Sequence, residues 1–178
     1  MIAVSVLSLV LLPLKASESS KIIVAQDGTG DYTTIQEAIN SCRAFQTYEK
    51  IIFIKNGVYK EKLLIDSFLT HLHLIGESKD KTIIRFNDYS GKGDITTFTS
   101  YTFRILGDFT QIENLTIEND AGLVGQAVAL HVEGDCCTIT NCNIIGNQDT
   151  LYASGQRSRQ YYKNCYIEGT TDFIFGGA

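Results

Sequence analysis

An internal repeat constrains this chain more than any other feature. Ile112-Glu-Asn-Leu-Thr-Ile-Glu-Asn, Ile139-Thr-Asn-Cys-Asn-Ile-Ile-Gly and Tyr162-Lys-Asn-Cys-Tyr-Ile-Glu-Gly share an Asn-x-x-Ile frame at Asn114/Ile117, Asn141/Ile144 and Asn164/Ile167. The second offset, from Asn141 to Asn164, is slightly shorter than the first, and it also relates Cys142 to Cys165 and Gly146 to Gly169. A period of this length, filled with short strand-like runs, corresponds to one turn of a parallel β-solenoid. Equivalent residues of successive coils then stack at the interstrand spacing of about 4.8 Å. The Asn positions are expected to form an inward ladder, bonded side chain to side chain.

The rest of the pattern agrees with a solenoid. After a strand at Ile22–Ala25, Asp27-Gly-Thr-Gly-Asp-Tyr carries turn chemistry. Thr33 or Thr34 can cap a helix running to about Cys42, because Ile35, Ala38, Ile39 and Cys42 fall on one face. Such a helix suits the N-terminal cap that a solenoid needs over its first coil. Strands are then predicted at Lys50–Ile54, Leu63–Ile65, His71–Ile75, Thr82–Phe86, Phe103–Leu106, Gln111–Ile117, Ala127–Val132, Cys137–Ile144 and Tyr161–Ile167. An immunoglobulin-like or jelly-roll sandwich would show strict in/out alternation and hairpin signals, and neither dominates. The expected fold is all-β: a right-handed parallel β-helix over residues 22–178 with a short capping helix. The sequence stops at Ala178 directly after a repeat, so C-terminal coils are expected to be missing.

Composition narrows the function. A net charge of -5 argues against nucleic acid, since phosphate binding needs a Lys/Arg surplus. The three His show no zinc spacing, and the five Cys are read as buried thiols, not as a disulfide framework. Neither G-x-S-x-G, H-E-x-x-H nor a P-loop occurs. Residues 1–16 resemble a secretory signal: Ile2 to Leu14 is nearly continuous apolar sequence, too short to span a bilayer. A buried N-terminal strand is the alternative, which Pro13 disfavours.

The repeat also aligns polar residues. Asp149 and Asp172 are separated by the same offset as Asn141 and Asn164. Gln126 lies that same distance before Asp149, and Gln148 is adjacent. Two carboxylates about 5 Å apart repel by about 3 kcal/mol at an effective dielectric near 20. The pair then titrates as a unit, which separates an acid from a charged nucleophile or base. Gln126 and Gln148 could donate to a developing oxyanion. The aromatics Phe98, Tyr101, Tyr152, Phe173 and Phe175 suit sugar rings, with core packing as the alternative. The sequon at Asn114-Leu-Thr116 is read as buried and structural, because Asn114 is on the ladder.

Four segments carry a resemblance: Gly57-Val-Tyr-Lys-Glu61, Gly125-Gln-Ala-Val-Ala-Leu130, Gly146-Asn-Gln-Asp-Thr-Leu-Tyr152 and Gly169-Thr-Thr-Asp-Phe-Ile-Phe-Gly176. In this order and spacing they resemble the pectin methylesterase family of carbohydrate esterases, from about Ile22 to Ala178. The resemblance implies hydrolysis of galacturonate methyl esters of pectin, with no metal or organic cofactor. It implies Asp172 as nucleophile, Asp149 as proton donor, and Gln126 and Gln148 as oxyanion donors. Phe98, Thr102, Gln126, Tyr152 and Phe175 match positions that line the substrate groove. The implied partner is methyl-esterified homogalacturonan, met by a monomer in the cell wall, the periplasm or the medium, with no membrane contact after processing. The family's downstream Leu-Gly-Arg-Pro-Trp, whose Arg pairs with the nucleophile, does not occur before Ala178. This chain alone is therefore expected to be inactive or nearly so. Glycosidic cleavage of pectin and a non-catalytic wall-binding role are the competing functions. The first ranks low, because Asp-Asp, Gly-His-Gly and Arg-Ile-Lys signatures are absent.

Overall fold

A computed structural model describes residues 21–178. The expected signal segment, residues 1–16, lies outside these residues. In chain order the strands are β1 (Ile22–Val24), β2 (Lys50–Ile54), β3 (Gly57–Tyr59), β4 (Leu63–Ile65), β5 (Leu72–Gly76), β6 (Thr82–Phe86), β7 (Phe103–Ile105), β8 (Gln111–Glu113), β9 (Thr116–Asn119), β10 (Leu130–Val132), β11 (Cys137–Thr140), β12 (Asn143–Ile145), β13 (Leu151–Ala153), β14 (Gln160–Lys163), β15 (Tyr166–Glu168) and β16 (Ile174–Gly176). They form three parallel sheets, ordered β1-β2-β5-β8-β11-β14, β3-β6-β9-β12-β15 and β4-β7-β10-β13-β16. Successive coils add strands to the sheets in turn, which is the parallel β-helix that the repeat predicts.

Inward side chains stack in columns. Ile52, Leu74, Ile112 and Ile139 align in the first sheet, and Tyr59, Ile84, Ile117 and Ile144 in the second. Leu63, Phe103, Leu130 and Leu151 align in the third. All twelve are at most 2% exposed. Burying an aliphatic side chain of this size contributes about 1.5–3 kcal/mol, so these columns hold the coils in register.

The capping helix is shorter than predicted. α1 (Ile35–Asn40) starts at Thr34, whose side chain accepts from the Glu37 amide, and buries Ile35, Ala38 and Ile39. The Glu61 carboxylate takes the Ile35 and Gln36 amides at 2.9 and 3.0 Å, tying the cap to the coil beneath it. Cys42 lies past the helix, its thiol donating to the Ala38 carbonyl at 3.4 Å.

Three predicted strands are each two. Gln111–Ile117, Cys137–Ile144 and Tyr161–Ile167 break at Asn114, Asn141 and Asn164, whose φ values are +59°, +52° and +54°. Left-handed backbone strains most side chains, but Asn tolerates it because its short amide bonds locally. The chain therefore turns a corner there. Leu115, Cys142 and Cys165 pack against the core after it, and the Asn side chains do not. The ladder is thus a corner ladder, not an inward one: Asn114 is half-buried, and Asn141 and Asn164 are exposed. Asn141 Nδ2 donates to Asn114 Oδ1 at 2.8 Å, and Asn114 Nδ2 to the Gly76 carbonyl at 2.8 Å. Asn141→Ala loses that bond and strains the turn, and is expected to cost about 1–2 kcal/mol. Asn141→Gly should recover part of the loss by relieving the φ strain, as read from urea midpoints.

All five cysteines are free. Cys137 and Cys142 are buried, and burial pushes both thiols up to about 12. Cys42, Cys136 and Cys165 are only half-buried.

Candidate active site

The candidate site lies where the second sheet hands over to the third. Gly146–Thr150 joins β12 to β13, and Gly169–Phe173 joins β15 to β16 one coil on. The two loops are tied together through backbone bonds. The Asp149 amide donates to the Thr171 carbonyl at 3.1 Å, Leu151 to Phe173 at 2.8 Å, and Thr170 back to Asn147 at 2.8 Å. The strands that follow are in register, with Leu151 beside Ile174 and Tyr152 beside Phe175. Asp149 and Asp172 consequently take the same place in adjacent coils. Both adopt left-handed backbone, with φ +66° and +48°. Asp, like Asn, tolerates this conformation, so the two loops turn the same corner in successive coils.

Their environments differ. Asp149 lies between coils and is 4% exposed, and Asp172 is on the last coil, where even the inward Ile174 is 51% exposed. Burial, and then the negative charge of Asp172, raise the Asp149 carboxyl above its ordinary range, with no hydrogen bond offsetting them. Asp149 thus keeps its proton to higher pH than an ordinary carboxyl, which suits the acid of an acid and nucleophile pair.

Gln126 is not in the Asp149 column. It pairs with Gln148, in an isolated parallel bridge. From Gln126 to Leu130 there are four steps, whereas from Gln148 to its partner Leu151 there are three. The surplus residue is taken up in a bulge, where the Ala129 and Leu130 amides both donate to the Thr150 carbonyl, at 2.9 and 3.1 Å. A constant offset between coils misses this. The bridge still sets Gln126 and Gln148 on adjacent coils, Gln148 one residue before Asp149. Thr97 Oγ1 donates to Gln126 Oε1 at 2.7 Å, which orients the exposed Gln126 amide with its N–H group free to donate.

The aromatic residues assemble beside this loop pair. Tyr152 and Phe175 stack with ring centroids 4.5 Å apart and planes 10° apart. Phe98, on the short 3-10 helix Thr97–Thr99, leans on Tyr152 at 5.4 Å. It belongs to a long loop between β6 and β7, pinned by Asn119 Nδ2, which donates to the carbonyls of Asp88, Ser100 and Val128. Thr102 is not at the groove surface. It is fully buried, its hydroxyl donating to the Glu118 carbonyl at 3.0 Å, so it supports the wall from behind. Phe173 is partly exposed and Tyr101 half-buried. His131 was not expected here: it stands in register between Arg104 and Tyr152 on the same outward face. The step from His131 to Tyr152 is shorter than that from Asp149 to Asp172, so aligning coils on the aspartates passes it by. Outward parity with Tyr152 would have found it.

Comparison with known proteins bears on the whole described region. The pectinesterase family profile matches residues 21–178. The chain belongs to the pectinesterase family. The Arabidopsis thaliana protein named "Probable pectinesterase/pectinesterase inhibitor 23" is 42% identical over 167 residues, which cover 93% of this chain and 28% of that one. The solved pectin methylesterase from carrot superposes with a TM-score of 0.84 at 36% identity, over 87% of this chain and 48% of that one. A solved pectin methylesterase in complex with a hexasaccharide gives 0.78 at 36% identity, over 87% and 51%. The chain therefore spans about half the length of these solved pectinesterases and less than a third of the Arabidopsis relative. Among the described residues no cluster of three or more His, Cys, Asp or Glu could hold a metal, and no helix is long and apolar enough to cross a membrane.

Proposed function

We propose that a complete protein carrying these coils hydrolyses galacturonate methyl esters of pectin, releasing methanol and a free carboxylate. The observation that carries this is the loop pair, which sets Asp149 and Asp172 at one position of adjacent coils. Asp172 attacks the ester carbonyl as a carboxylate, forming a tetrahedral intermediate. Gln126 and Gln148 donate their amide N–H groups to its oxyanion. Asp149 gives its proton to the departing methanol, leaving an acyl-aspartyl anhydride. As a carboxylate, Asp149 then takes a proton from water, whose attack on the anhydride frees Asp172. No cofactor enters any step. Phe98, Tyr152 and Phe175 offer aromatic faces to the sugar rings. Residues 22–178 form the catalytic β-helix portion, and residues 1–16 direct export to the medium, the periplasm or the wall, where the protein acts as a monomer on methyl-esterified homogalacturonan.

The test measures methanol and reducing ends released from that polymer by a pectinesterase-length chain containing these residues. Methanol without new reducing ends supports ester hydrolysis. Reducing ends would instead mean glycosidic cleavage, and binding with neither product would mean a wall-binding role.

A further inference from the structure

His131 plays no part in the chemistry proposed above, yet it sits at the foot of the aromatic groove. It is 1% exposed, although it is on the outward face of β10. Its ring centroid is 4.5 Å from that of Tyr152 and 6.3 Å from that of Tyr101. Nδ1 has no hydrogen-bond partner. Nε2 lies 2.9 Å from Glu133 Oε1, but without the alignment of a hydrogen bond, so that contact is only electrostatic. A buried polar ring that makes no well-aligned hydrogen bond, with only the Glu133 carboxylate and the Phe98 backbone near its nitrogens, is rare and calls for an explanation.

The charged neighbours narrow the choice. From β7, the Arg104 guanidinium approaches and binds the same Glu133 carboxylate through Nε at 3.1 Å and a terminal nitrogen at 2.5 Å. From β13 comes the Tyr152 phenol, and from the segment before β7 come the Tyr101 ring and the Phe98 backbone. One step further out, Lys62 Nζ lies 4.9 Å from the centre of the Tyr101 ring. Glu133 is therefore already engaged, and two cations flank Tyr101. Burial first, and then Arg104, hold the imidazole down at about 4, against the opposing pull of Glu133 and the Phe98 backbone. His131 is thus neutral at mild pH. An imidazolium there would be a buried charge that competes with Arg104 for the same Glu133 oxygen.

We propose that His131 is the positioning residue of the groove: its neutral ring props Tyr152 against Phe175, and its protonation releases that stack. The role in substrate binding rests on the pectin assignment above, whereas the coupling of His131 to Tyr152 does not.

The test is NMR on this chain from pH 7 to 3.5, with Phe103 resonances reporting the core. The expected result is a Tyr152 ring transition that shares its midpoint with His131, near 4, while Phe103 stays unchanged. In His131→Phe the Tyr152 transition should vanish, and His131→Leu serves if that variant does not fold. A second arm measures binding of fully methyl-esterified hexagalacturonate, which has no charge of its own to titrate, to a complete pectinesterase-length chain carrying these residues. Affinity should fall about twofold between pH 6 and pH 4 and about tenfold by pH 3 in the parent, and stay nearly flat over that range in His131→Phe. A Tyr152 transition that survives His131→Phe, a His131 midpoint near 6.5, or core unfolding at the same midpoint would overturn the proposal. Coupled titration without oligosaccharide binding at pH 6 would support the positioning role and count against the pectin assignment.

Discussion

Replacing Asp172 by Asn in a complete pectinesterase-length chain is expected to lower methanol release by on the order of 10³-fold or more. The amide keeps the shape of the side chain but cannot attack as a carboxylate. KM should change little, because the groove residues Phe98, Tyr152 and Phe175 are untouched. The same substitution removes the second-largest cause of the raised Asp149 carboxyl, leaving burial in place. The Asp149 midpoint should therefore move down toward the ordinary carboxyl range without reaching it, as read by carboxyl-carbon NMR. The sign follows from the charge: a neighbouring anion opposes ionisation, and a neutral amide does not. In the parent, the step that needs protonated Asp149 should slow as pH rises through its raised value. Methanol release retained in Asp172→Asn would remove Asp172 from the nucleophile role.

Phe103→Ala is expected to be among the most destabilising single changes in the core. Phe103 is fully buried in the third-sheet column between Leu63 and Leu130. Coils above and below are fixed by their own ladders and cannot collapse into the space, so the loss should be about 3–5 kcal/mol. Phe103→Leu should cost distinctly less. Chemical denaturation of both variants checks this. Because Arg104 follows Phe103 and pairs with Glu133, the cavity should also disturb the ground beneath His131 and Tyr152.

Much of the architecture was legible because stacking imposes equivalence. Asn114, Asn141 and Asn164 marked the period, and inward Ile117, Ile144 and Ile167 followed it into one aligned column. Their role was misplaced for a local reason. Alternation along a strand gives a residue's face only while the backbone stays extended, and left-handed φ at each Asn ends that condition. The same cause hid the division of three long segments into strand pairs. Asp149 and Asp172 were legible because they share one offset with the strand pair that follows, Leu151 beside Ile174. Gln126, Thr102 and His131 were not. Gln126 shifts at the bulge, Thr102 needed the depth of its wall, and His131 needed the shorter offset of its own strand.

Those unequal offsets have a consequence for how such a molecule can change over time. In the first sheet the inward column advances by unequal steps, longest from Leu74 to Ile112 and shortest from Ile52 to Leu74, yet the side chains remain aligned. Added length is diverted into corner loops, including the long one that bears Phe98, and the ladders do not register it. Insertions and deletions at these corners are therefore close to neutral for folding while they reshape the groove wall. One scaffold can exchange its walls, and with them its preference among polymers, without renegotiating its core.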